Sequence, residues 1–158
     1  MPENTFRKCQ APATDAELDG IAERMGLPLP EDFKAHYRKN NGGVPERAWW
    51  DSLDEYDPCS VTEFCPVGHG RHTLEATLEK LRAKKLIPDN LLPFAYGPYG
   101  YYFCLDLKTG AVFHYATEGF QPEKTQEYNF KKAQRKLSRS FTEFVKGLVG
   151  TSELDCCS

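Results

Sequence analysis

Leu18, Ile21, Ala22 and Met25 recur at i, i+3, i+4 and i+7, the spacing that lines apolar side chains along one face of a helix. Thr14-Asp15-Ala16-Glu17 precedes them as a capping box, and Gly26 follows as a stop. Pro30-Glu31-Asp32 opens a second helix, with proline in the first turn, acids at the positive end of the helix dipole, and Phe33 and Tyr37 four apart. Asn40-Asn41-Gly42-Gly43 ends it, because glycine tolerates the left-handed backbone that closes a helix. From Val44 to about Arg71, Trp49, Trp50, Leu53, Tyr56 and Phe64 are interrupted by prolines and glycines, so short strands and long loops are expected. A third helix is expected from Thr73, carrying Leu74, Leu78 and Leu81 with Leu86 and Ile87 at its end, until Pro88-Asp89 breaks it.

The period then changes. Leu91–Tyr96, Tyr101–Asp106 and Ala111–Tyr115 are aromatic and β-branched runs separated by Gly97-Pro98 and by Lys108-Thr109-Gly110, which predicts three consecutive strands. The last two are expected to form a hairpin with Gly110 in the left-handed position of its turn. Ser140-Phe141-Thr142-Glu143 is a second capping box, and Phe141, Phe144, Val145 and Leu148 supply the stripe of a closing helix. The expected class is α+β, one domain with a largely antiparallel sheet and helices packed on one side. Residues 1–13 are read as an N-terminal extension, 14–150 as the domain and 151–158 as a tail.

At 158 residues one core suffices, burying roughly 70% of the unfolded surface. A net charge of −3 asks for neither nucleic acid nor an anionic membrane, and no apolar run approaches the ~18 residues of a membrane helix. The N-terminus lacks the apolar stretch of a secretory signal, and Asp155-Cys156-Cys157-Ser158 lacks a Cys fourth from the end for prenylation. A cytoplasmic protein with free thiols is therefore expected.

Four segments carry a family resemblance: Gly26-Leu27-Pro28-Leu29-Pro30-Glu31-Asp32-Phe33-Lys34 with Tyr37 and Asn41-Gly42-Gly43; Leu92-Pro93-Phe94-Ala95-Tyr96-Gly97; Tyr102–Leu107 with Gly110-Ala111-Val112; and Ser140–Val145. In this order and at these intervals the chain resembles the SUKH superfamily of Smi/Knr-type immunity and scaffold proteins, from about Leu18 to Leu148. Two details depart from the family's usual wording: Tyr101 follows Gly100 where a small or polar residue is common, and Phe113–Glu118 replaces a Trp-Asp-His-Glu-like strand ending. The resemblance implies a SUKH-like domain and a bacterial, cytoplasmic immunity protein of a polymorphic toxin system. Such a protein neutralises its cognate toxin by binding it; the same superfamily also contains intracellular scaffold and regulatory modules.

Between Glu46 and Glu63 stand six acids against one arginine, interleaved with Trp49, Trp50 and Tyr56. Aromatics give contact area at low entropic cost, and a local negative potential steers a basic partner. Asp51, Asp54, Glu55 and Asp57 are accordingly expected to steer, and Trp49, Trp50 and Tyr56 to anchor, a toxin with a phosphate-holding surface. The alternative is that the tryptophans belong to the core and the acids solvate a loop. Lys131, Lys132, Arg135, Lys136 and Arg139 form a second, basic patch, read as lying on the opposite face and more simply as a solvated segment.

Cys59, Cys65, His69 and His72 are zinc-type ligands, but five residues separate the cysteines and two the histidines, where two to four and three to five are usual. Cys104 and His114, across the expected hairpin, are the only hint of a nucleophile and base. No phosphate loop, zincin or dinucleotide motif is present in the sequence. No metal, no cofactor and no catalytic residue is expected; a zinc- or thiol-dependent hydrolase is the lesser alternative.

Overall fold

The computed structural model describes residues 3–51 and 57–154. Along the chain these form β1 (Phe6–Arg7), α1 (Asp15–Met25), α2 (Glu31–Lys39), β2 (Val44–Pro45), β3 (Trp49–Trp50), β4 (Cys59–Ser60), β5 (Glu63–Phe64) and α3 (Leu74–Ala83). There follow β6 (Leu91–Tyr96), β7 (Tyr102–Asp106), β8 (Val112–Tyr115), α4 (Gln126–Ala133), β9 (Gln134–Ser138) and α5 (Phe141–Gly147). No helix among the described residues is long and apolar enough to cross a membrane.

The local signals act as their chemistry dictates. Thr14 Oγ1 accepts the Glu17 N–H at 3.1 Å while the Glu17 carboxylate accepts the Thr14 N–H at 3.0 Å, and Gly26 closes α1 at φ 69°. Ser140 caps α5 through the Glu143 N–H, but the Glu143 carboxylate lies 3.4 Å from Arg139 Nε, an ion pair beside the cap. α3 ends at Ala83, earlier than expected. Lys85 takes φ 56° and the Leu86 N–H turns back to Leu81 O, so a tight turn, not another helical turn, delivers Leu86 and Ile87 to the core.

Asn41 does more than end α2. Its side chain is fully buried, donates to Ala11 O and Val67 O at 2.9 and 3.0 Å, and accepts the Val67 N–H at 2.7 Å. It ties the N-terminal segment, the end of α2 and the chain before α3 together. Gly42, at φ 77°, leaves no room for a Cβ against Pro66.

β5 to β9 make one antiparallel sheet in sequence order, with two-stranded β1–β2 and β3–β4 beside it. The register pairs Phe103 with His114 and Leu105 with Val112. That face carries the Phe64, Phe94 and Phe103 rings against Phe33 of α2 and Phe141 and Phe144 of α5, with Leu18 and Ile21 of α1 in the same core. The alternate positions Cys104 and Tyr115 pack with Leu81, Ile87 and Ala133.

The α+β class and the largely antiparallel sheet are as expected. β7 and β8 are apolar on both faces, so both faces require cover: α1, α2 and α5, with Leu74 and Leu78 of α3, contribute to the larger core cluster, and Leu81 of α3 and Ala133 of α4 to the smaller one. α4 and the edge strand β9 occupy a stretch read from sequence only as a solvated basic segment. Thr125 caps α4 through the Tyr128 N–H, and pairing with β8 makes Gln134–Ser138 a strand despite its polar composition.

Candidate functional site

The acidic aromatic segment is built on the β3–β4 arms, where Trp49 pairs with Ser60 and Trp50 with Cys59. Trp49 exchanges both backbone hydrogen bonds with Val149, at 3.0 and 2.8 Å. The Trp50 ring stacks on Phe144 with centroids 5.4 Å apart, and Gly147 is tolerated behind it because a Cβ there would stand 2.7 Å from the indole. Both tryptophans are half-buried; Asp51 is half-buried and Asp57 exposed where the arms leave the protein. Asp54, Glu55 and Tyr56 lie outside the described residues.

The β4 arm is clamped from the side. The Tyr101 hydroxyl donates to Ser60 O at 3.0 Å and accepts the Ser60 N–H at 3.1 Å; burial pushes its pKa up. Its ring lies 4.4 Å from that of His114. His114 is paired across the strands with Arg135, and its pKa is lowered to about 4, first by burial and then by the Arg135 charge. Arg135 Nη1 in turn donates to Asp57 O at 3.4 Å.

The side chains of the basic patch do not share one direction. Arg135 turns toward the acidic arm, whereas Lys136 is exposed, and alternation along β9 sends it the other way. Lys131 and Lys132 are exposed in the last turn of α4, and Arg139 pairs with Glu143.

One exposed aromatic escaped the sequence reading. Pro98–Gly100 form a single 3-10 turn between β6 and β7, and at its apex Tyr99 has φ 64°, ψ 17° and is 93% exposed. Gly97-Pro98 and Gly100 marked the turn in the sequence, but neither said which way the intervening side chain would point.

The remaining candidates disperse. Cys104 is paired with Phe113 and His114 with Phe103, which puts the thiol and the imidazole on opposite faces of the sheet; Cys104 is fully buried, and burial raises its pKa well above the usual thiol value. Cys59 and Cys65 are buried, whereas His69 and His72 are exposed on the loop before α3. His69 Nε2 lies 3.2 Å from the Glu17 carboxylate. Among the described residues no three His, Cys, Asp or Glu side chains converge as metal ligands would. A cavity of about 460 Å³ opens between α2, α5 and the N-terminal segment, with Phe6, His36 and Phe141 in its wall.

A family model described as SMI1 / KNR4 family (SUKH-1) matches residues 12–147, a span that takes in all five helices and the whole five-stranded sheet. No curated protein matches the chain.

Proposed function

The chain belongs to the SMI1/KNR4 family (SUKH-1), and from that premise we propose that it is an immunity-type binding protein. In this reading it neutralises a cognate, nuclease-like protein toxin in the cytoplasm by direct complex formation and performs no chemistry of its own. Family membership supports association with proteins as the mode of action.

The observation that carries the toxin reading is the preorganised base of the acidic loop. Trp49 on Val149, Trp50 on Phe144 and Ser60 on Tyr101 hold its arms from three directions. Asp51 and Asp57 therefore stand at fixed points, and these two residues need little ordering on binding. A surface that holds phosphates is cationic, so a fixed acidic rim complements it and accelerates encounter. In this assignment the tryptophans act mainly as the footing of the loop, and the acids, with Tyr56, as its contact surface.

The test is charge reversal, Asp54→Lys, Glu55→Lys and Asp57→Lys together, against each toxin domain found in the genes neighbouring this chain's own. The association rate is expected to fall about tenfold or more at low salt and its salt dependence to flatten. An unchanged rate and salt slope removes the loop from the account. A tight partner without toxic activity supports the scaffold role instead.

A further inference from the structure

We propose that Tyr99 is the aromatic anchor of the partner interface: a rigid knob, beside the β4 arm that leads to Asp57, that enters an apolar socket on the cationic face of the partner protein. This rests on the toxin-binding reading and gives it a contact residue.

Tyr99 stands apart by exposure. Its side chain is 93% accessible, and the other exposed large hydrophobic among the described residues, Tyr128, reaches only 37%. It also stands apart by backbone. Tyr99 at φ 64° is followed by Gly100 at φ 81°, two successive left-handed residues of the kind that tight strand connections give to Asn-Gly or Gly-Gly. A tyrosine in the first of these places is strained, because its Cβ crowds the neighbouring carbonyl. Its ring is turned to solvent, where packing returns nothing for that strain.

The strain persists because the surroundings leave the turn no alternative. The Gly97 N–H donates to Tyr101 O at 2.9 Å. Gly97 itself is wedged against the Tyr101 ring and Ser60 O, with no space for a side chain, and the Tyr101 hydroxyl is bonded twice to Ser60. Tyr99 is thus presented from a fixed platform, and a tyrosine so held gives a large amphipathic contact at small entropic cost.

The same platform sets the chemistry of the partner. Ser60 belongs to the arm that carries Asp57, and Tyr101 reaches that arm again through His114 and Arg135. A socket seated on Tyr99 therefore lies beside the arm that carries Asp57, which calls for lysine or arginine at its rim.

The test uses the full chain and, as probe, each purified toxin domain found in the genes neighbouring its own. Tyr99→Ala is expected to weaken binding about tenfold or more, mainly through faster dissociation. Tyr99→Gly is expected to weaken binding equally while raising the melting temperature, a pairing that a merely structural residue cannot produce. Tyr128→Ala is expected to bind as the parent. If the parent binds and Tyr99→Ala and Tyr99→Gly bind equally well, the anchor is overturned while the toxin reading stands; if the parent does not bind, both fall. A parent dimer in sedimentation that Tyr99→Ala dissociates assigns the residue to self-association and overturns the proposal.

Discussion

Replacing His36 by phenylalanine should flatten the acid limb of the stability curve. The imidazole centroid lies 4.9 Å from that of Phe6, 5.2 Å from Phe141 and 5.7 Å from Phe64. Its Nε2 is buried with no hydrogen-bond partner among the described residues. Burial first, and the Lys39 charge second, lower its pKa from 6.5 to about 4. In the unfolded chain His36 protonates near 6.5, whereas in the folded protein it stays neutral down to about 4. The unfolded state therefore binds more protons in that window, so stability is fully present above about pH 6.5 and is lost as the pH falls toward about 4.

The whole effect is about 3 kcal/mol at most, and about 2 kcal/mol between pH 7 and pH 5. His36→Phe keeps the ring contacts and leaves no polar atom unpaired, so it is expected to be close to neutral at pH 7 and about 2 kcal/mol more stable than the parent at pH 5. Urea unfolding at pH 7, 6 and 5 and constant ionic strength reads this as a midpoint difference that grows to about 1 M. His114, whose pKa is also lowered to about 4, titrates in both proteins and cancels. Parallel curves for parent and variant across this range would refute the burial argument.

Asn41→Ala removes three buried hydrogen bonds and should cost about 3 kcal/mol, read in calorimetry as a fall in melting temperature of about 6–12 °C. Gly42→Ala and Gly26→Ala separate strain from collision. Gly26 at φ 69° has open space around it and should cost about 1 kcal/mol, whereas Gly42 at φ 77° would also set its Cβ 2.8 Å from the Pro66 backbone and should cost clearly more in urea unfolding. Gly147→Val should push Trp50 off Phe144 and shift tryptophan emission to the red; an unmoved spectrum would contradict the stacked geometry.

What could be read directly was what neighbouring residues decide among themselves. Thr14 with Glu17, Ser140 with the Glu143 N–H, the apolar stripes of α1, α2, α3 and α5, and Gly110 in the β7–β8 turn are short-range matters of capping, period and backbone freedom. The four segments that identify the family are mostly of this kind, which is why membership could be recognised before the tertiary structure was considered. β9 shows the opposite case: Gln134–Ser138 has one large apolar residue, and its strand state comes from hydrogen bonding to β8 across some twenty residues.

Likewise the Tyr101–Asp106 run announced a strand but not that both of its faces would be covered, since that depends on where α3 and α4 return. Trp49 and Trp50 are half-buried because α5 brings Phe144 against the Trp50 ring and the chain after it carries Val149 alongside Trp49. Tyr99 drew no expectation from its neighbours in the sequence and is the most exposed aromatic of the described surface. Composition and period determine which residues seek the interior; which of them find it is decided by the distant elements that arrive to cover them, and that is a property of the whole packed chain.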